Sequence, residues 1–322
     1  MDKKTAVLAI LKILEETDEN NPITRDEIED KLERVYGITA DRRTIYDKID
    51  ILESFGYEIS KPSDNGSQSN YYLVSRGFEP SEIKLLCNAV HSSRFIPVNY
   101  SKDLIKKLLA TQSKAFRKEY NDEVFVDNGN KKENKDFFLN IDTISEAIKN
   151  KVNISFDYMK YDRNLKLVRR DGDRRLISPH HIIYTNDKIY VTGYSIAHKM
   201  IIHLRLDKIM NIQEEKGKYV PESKKVDPYQ YAKTKMYMYA GPDVPVTIRF
   251  KESVLDDMVD NFGRNINIIN DGDGYYKTTI KTSEPGIIYF ALQYIDNMEV
   301  LQPKDLRNKI KDSLTQGLKL YK

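Results

Sequence analysis

The chain has 322 residues, 40% of them hydrophobic and 31% charged, with a formal net charge of +3 at pH 7. That length exceeds what one compact core usually spans, so two or three domains are expected. The single cysteine, Cys87, excludes an intrachain disulfide and any multi-cysteine zinc site. It fits a reducing compartment. No apolar run approaches the length of a membrane span, and the charged start leads into no signal-like segment, so the expectation is a soluble cytoplasmic protein. Residues 1–75 hold ten Lys and Arg against sixteen Asp and Glu, and residues 76–322 hold 42 against 33. Any DNA contact by the N-terminal segment therefore relies on local positive faces rather than a general basic field.

Residues 3–17 place Val7, Ile10, Leu11 and Leu14 at helical spacing. Thr24 followed three residues later by Glu27 is a capping box, with Ile23 and Ile28 as its hydrophobic staple. The buried stripe of that second helix is expected to be Ile28, Leu32 and Val35, and Gly37 to end it. Asp41 is a candidate N-cap for a third helix that is expected to bury Ile45, Ile49, Leu52 and Phe55, with Gly56 stopping it. Two strand-like runs, 57–60 and 71–74, flank a polar loop through Asn65-Gly66 and read as a hairpin. Three short helices and a hairpin describe a winged helix-turn-helix, whose third helix enters the major groove. Arg42, Arg43, Tyr46 and Lys48 then lie outside the buried stripe. With Thr44, and with Lys61 in the hairpin, they are the candidate contacts to bases and phosphates. The competing reading is a solvated charged helix face.

Residues 78–118 are helical in period. Pro80 opens one helix with Leu85, Leu86, Ala89 and Val90 on its apolar face, and Ser101 is expected to cap another carrying Leu104, Ile105, Leu108 and Leu109. Cys87 reads as a small buried hydrophobe. The stretch 127–136 reads as an exposed linker. After a helix with Ile141, Ile144 and Ile148, strands are expected at 152–159, 165–170, 174–178, 181–185, 188–194, 200–206 and 209–214. They would make a small bent barrel of the SH3 or Sm type. Alternation puts His203 and Arg205 on one face of their strand, and four of the five histidines (180, 181, 198 and 203) lie in this region. Residues 163–175 add six basic side chains, an anion-facing strip or a solvated turn. A tyrosine-rich connector (Tyr229, Tyr231, Tyr237, Tyr239) leads to a βαββαβ order and a last helix, the ferredoxin-like split unit.

The centre of the chain carries a resemblance. Arg175 to Pro179, then Ile189-Tyr190-Val191, then Arg205-Leu206-Asp207-Lys208-Ile209 resemble the WYL domain of bacterial transcription regulators, with only the tyrosine of the name kept. Arg42-Arg43-Thr44-Ile45-Tyr46 resembles the recognition helix of the DeoR-like modules that precede such domains. Glu299 to Pro303 and the final leucine-rich helix resemble their C-terminal extension. The fold class is thus α+β multidomain: a winged helix-turn-helix over 1–75, a helical connector over 76–136, a WYL-like barrel over 137–217 and a ferredoxin-like domain over 240–322. The resemblance implies a homodimeric DNA-binding regulator, as a repressor, whose WYL-like domain binds an anionic, nucleic-acid or nucleotide effector. Carried over by residue, the ligand-binding set is Tyr158, Arg175, Tyr190 and Arg205, and strand alternation adds His181 and His203. Guanidinium groups bind phosphate in pairs of hydrogen bonds, and the rings stack on bases. A polar network holding the barrel together is the competing reading of the same residues.

No catalytic motif, phosphate loop or metal-ligand spacing is present, so no enzyme, cofactor or metal is expected; His181 and His203 lack a third ligand. Two other functions fit the same residues. One is an accessory subunit that binds single strands, and the other a protein-interaction adaptor, each within a nucleic-acid-processing or phage-defence system.

Overall fold

The computed structural model describes residues 5–60, 70–123, 136–170, 172, 174–185, 187–223 and 227–321, with backbone alone at 121–123, 229 and 230. The chain divides into two compact units, Met1–Glu133 and Asn134–Lys322.

The first unit opens with α1 (Ala6–Leu14), β1 (Ile23–Thr24), α2 (Arg25–Tyr36) and α3 (Arg42–Ser54). Local chemistry sets these boundaries. The Thr24 backbone N–H donates to the Glu27 carboxylate at 2.8 Å and the Glu27 N–H donates back to Thr24 Oγ1 at 3.3 Å, which satisfies two orphan donors of α2. Gly37 ends α2 at φ +63°, where a side chain would be strained. Asp41 caps α3, accepting from the Thr44 N–H at 2.8 Å. Ile10, Leu14, Ile28, Leu32, Ile45, Ile49 and Leu52 form one core. Val35 is not part of it: it is 68% exposed, and Tyr36, one residue on, packs against the core instead. Phe55, expected at the end of the same core, is 81% exposed because α3 has ended at Ser54. The chain then returns as β2 (Asn70–Tyr71), antiparallel to β1, while Ile59 bridges Leu73. The expected Asn65-Gly66 turn lies outside the described residues.

Three further helices complete the unit: α4 (Pro80–Ser92), α5 (Val98–Leu109) and α6 (Lys114–Glu123). The burial of α4 differs from expectation. Ile83 and Cys87 face the core with Leu109 and Tyr120, whereas Leu85, Leu86 and Ala89 lie at the surface. The helix is apolar on two sides, and period alone does not choose between them. Burial pushes the Cys87 thiol above its usual range, as expected of an inert buried cysteine. Ser101 caps nothing. It lies inside α5, which begins after Pro97, and its hydroxyl donates back to the Ile96 carbonyl at 3.4 Å. Polar ties join these helices to the N-terminal three: Asp18 accepts from Ser113 and Glu16 pairs with Arg117, while Gln112 Nε2 donates to the Phe78 carbonyl at 2.8 Å within the later group. Burial alone would raise the Asp18 carboxyl. Hydrogen bonds from Ser113, Asn21 and Asn20 outweigh it and hold the group below the usual range.

The second unit starts with α7 (Phe137–Asn150), then β3 (Asn153–Tyr161), β4 (Leu167–Arg169), β5 (Arg175–Thr185), β6 (Lys188–Ser195), β7 (Met200–Arg205) and β8 (Ile209–Glu215). The ladder order is β4-β3-β5-β6-β7, all antiparallel, with β8 on β3. Seven strands were expected, but 174–178 and 181–185 join into one strand. A register shift between Pro179 and His181 bends it instead of breaking it. The sheet is curled, and β7 and β8, joined by a short 3-10 turn over Leu206–Lys208, share no ladder among the described residues.

After α8 (Pro228–Thr234) come β9 (Asp243–Lys251), α9 (Leu255–Phe262), β10 (Ile268–Gly272), β11 (Tyr275–Ser283), α10 (Glu284–Gln293), β12 (Met298–Gln302) and α11 (Lys304–Leu320). Their sheet runs β10-β11-β9-β12, so the first strand sits inside, between the third and the fourth. That is the arrangement the order βαββαβ implies. Val246, Ile248, Phe250, Ile280 and Val300 alternate onto one face and pack with Ile287, Phe290, Leu306 and Ile310.

Candidate functional site

Two surfaces carry the candidate residues, one in each unit. On α3 the buried stripe at 45, 49 and 52 turns Arg42 and Arg43 outward. Arg42 does not extend freely. Its Nε donates to Tyr46 Oη at 3.3 Å and its guanidinium lies 5.4 Å from that ring's centre, one helical turn on. The Arg42 hydrogen bond lowers the Tyr46 hydroxyl below its usual range, while burial and Tyr46 together push Tyr71 beneath it up to about 12. Arg43 is exposed and no described residue competes for its guanidinium, and Thr44 and Lys48 are half-buried beside it. Lys61 lies outside the described residues. Arg43 is thus the readiest of the set to donate to a base or phosphate, and Arg42 with Tyr46 forms a prepared ledge next to it.

In the second unit the structure gathers three candidates around Tyr158. The Arg175 guanidinium stacks 4.6 Å above its ring, and its hydroxyl accepts the backbone N–H of Arg205 at 3.2 Å. Tyr190 pairs with Arg205 across β6 and β7, and burial raises its hydroxyl above the usual range. The two arginines differ in a way that matters for chemistry. Arg205 is held by Asp207 through two hydrogen bonds, Nε to Oδ1 at 3.0 Å and an Nη to Oδ2 at 2.8 Å. Burial works against its charge, but Asp207 outweighs burial and leaves the guanidinium above its ordinary range. Arg175 forms no ion pair with a described carboxylate. Burial pushes it below the ordinary range, and the Arg170 charge nearby pushes the same way.

A half-buried cation next to another cation, with an aromatic face beneath, is a place where an incoming anion relieves repulsion. Part of the basic strip beside it is spoken for: Arg169 and Arg174 approach Asp157 at 3.1 and 3.6 Å, and Arg174 also donates to the Asn211 carbonyl at 2.6 Å. Arg163, Lys166 and Arg170 remain exposed.

The histidines are placed otherwise. His181 and His203 both flank Thr192, one on each side, so their backbones stand two strand spacings apart, roughly 10 Å. His181 Nε2 meets Glu222 at 3.0 Å. His203 Nδ1 donates to the Met238 carbonyl at 2.8 Å and its Nε2 accepts from the Tyr231 hydroxyl at 2.8 Å. Both ring nitrogens of His203 are therefore used inside the protein, and burial lowers its pKa, keeping it neutral. His180, next in line, donates to the Val220 carbonyl at 2.9 Å. Three histidines thus fasten Val220, Glu222, Tyr231 and Met238 to the sheet. The His203 ring has both nitrogens engaged by the protein itself, on the Met238 carbonyl and the Tyr231 hydroxyl. Among the described residues no group of three His, Cys, Asp or Glu side chains is placed to hold a metal ion.

The pairing of Asp207 with Arg205 was not anticipated, although its position two residues on offered the charge match. Glu222 and Tyr231 carried no such signal, lying 41 and 28 residues from their histidines. Lys208, in the same motif, packs its ammonium 3.4 Å from the Tyr161 ring centre.

Comparison with known families matches residues 140–214 to the WYL domain and residues 242–318 to the WCX domain. No curated protein matches the chain. Among solved structures, proteasome accessory factor B/C (PafBC) of Arthrobacter aurescens aligns with 16% identity and a TM-score of 0.31, over 96% of this chain and 46% of its own. The present chain thus spans less than half the length of that protein. A CRISPR Cas-related protein aligns with 14% identity and a TM-score of 0.38, over 99% of this chain and 84% of its own. Among the described residues no helix is long and apolar enough to cross a membrane.

Proposed function

From the WYL and WCX domains that this chain carries, we propose that it is a non-enzymatic, homodimeric DNA-binding transcription regulator, acting as a repressor, whose WYL domain binds an anionic nucleic-acid or nucleotide effector. The observation that carries the reading is the Arg175–Tyr158 stack with Arg170 beside it, a partly buried positive site with no acidic partner among the described residues. Such a site favours a phosphate-bearing ligand, with Tyr158 and Arg175 offering flat faces to a base. The capped α3, with Arg43 exposed and Arg42 laid along Tyr46, supports operator binding in the major groove by the winged helix-turn-helix over 1–75. The SH3-like reading of 137–217 and the ferredoxin-like reading of 240–322 belong to the same proposal, as does a cytoplasmic location.

By linkage the effector changes operator affinity only as far as it prefers one of two states of the protein. Sequencing the genomic fragments that the purified full chain retains, followed by gel shifts on the best of them with and without short oligonucleotides, tests the reading. Saturable binding to one site, altered by an oligonucleotide, supports it. Retention of no fragment above background rejects it.

A further inference from the structure

The exposed side of α4 is the feature left without a role. Ile83 and Cys87 face the core; on the opposite side lie Leu85, 70% exposed, and Ala89, with Ser92 one turn on, and Leu86, 37% exposed, flanks this face. Large side chains thus occupy the first half of this face and small ones the second. Its ends are also opposite in charge: Glu79 and Glu82 stand at the N-terminal end, and Arg94 follows just past the C-terminal end.

We propose that this face of α4 is the two-fold contact with a second copy of the chain, the helices running antiparallel. This rests on the dimeric regulator reading above and names its interface. An axis passing between Leu86 and Ala89 sets Leu86 against Ala89 of the partner subunit, large against small at both ends of one isologous contact. It also brings Glu82 toward Arg94 of the partner subunit and opposes the two helix dipoles favourably. A parallel pairing would stack leucines on leucines and acid on acid. The polar ties from Asp18 to Ser113 and from Glu16 to Arg117 fasten the winged helix to the same helical group. A contact made through α4 therefore sets the distance between two recognition helices, and with it the half-site spacing.

The test is a size exchange in the full chain, read by sedimentation over a concentration series. Leu86→Ala removes the knob and Ala89→Leu fills the hole. Each alone should weaken dimerisation at least about tenfold. Together they restore the complementarity with the sizes exchanged, so the double variant should return to within about threefold of the original. All are surface changes between good helix formers, so melting of the monomer serves as the control for folding. Leu85→Glu should leave a monomer at micromolar concentration. If the singles and Leu85→Glu stay dimeric and still bind the operator as before, the α4 interface is wrong and the regulator reading stands. If the unaltered chain is a monomer that binds no specific DNA, that reading falls, and this inference with it. Weakened singles that the double variant does not rescue would also overturn the antiparallel pairing.

Discussion

Arg175 and Arg205 touch the same tyrosine, yet their removal should have different consequences. Arg175→Ala forfeits a stack on Tyr158 at 4.6 Å, worth about 0.5–2 kcal/mol, and strands no described carboxylate. Arg205→Ala leaves Asp207, 6% exposed, without the guanidinium that neutralises it. Breaking one side of a largely buried pair costs about 3–5 kcal/mol, and the partial exposure of Arg205 places this one near the low end, about 3 kcal/mol. For a unit of this size each kcal/mol moves the melting temperature by roughly 2–4 °C. Thermal melts of the full chain should therefore show a drop of roughly 1–8 °C for Arg175→Ala and a larger one, roughly 6–12 °C, for Arg205→Ala. Adding Asp207→Asn to the latter should recover part of the loss. In gel shifts, Arg175→Ala should keep operator binding and lose the response to the effector. Equal destabilisation by the two substitutions would refute the distinction between a free and a pinned arginine. An intact effector response in a folded Arg175→Ala protein would remove that residue from the binding site.

Arg43→Ala should weaken operator binding by about 1–3 kcal/mol, roughly 5- to 150-fold, with an unchanged melting temperature; unchanged gel-shift affinity would take Arg43 out of the interface. His203 has a folded-state pKa lowered from 6.5 by burial, so the unfolded chain binds the proton more readily. Stability should therefore fall as pH drops below about 6.5, and His203→Gln should flatten that dependence in melts from pH 5 to 8. A Cβ at Gly193 would lie 2.6 Å from the Ser178 carbonyl oxygen and 3.1 Å from Pro179 Cα, both backbone atoms. Gly193→Ala should cost on the order of 1–3 kcal/mol, seen as a lower denaturant midpoint.

What the sequence determined by itself is whatever a few consecutive residues decide. The capping box at Thr24 and Glu27, the Asp41 cap, the Gly37 stop and the alternation of β9 and β12 each close within one or two turns or along one strand. Their hydrogen bonds and periods are local, so the residue types announce them. The Arg175, Tyr158, Tyr190 and Arg205 group was legible by resemblance, and its members do meet. What the tertiary structure decided is which partner each group found. Period showed α4 to be apolar without saying that Ile83, and not Leu85, joins Cys87 in the core. Alternation placed His203 beside Arg205 without revealing that Tyr231 and the Met238 carbonyl would consume both ring nitrogens. It gave no hint that Asp207 would pin one arginine while Arg175 kept only an aromatic face. Pairings across tens of residues depend on how the sheet curls and on the bend between Pro179 and His181. No local pattern encodes that geometry, because every strand could meet its neighbours in other registers with the same alternation.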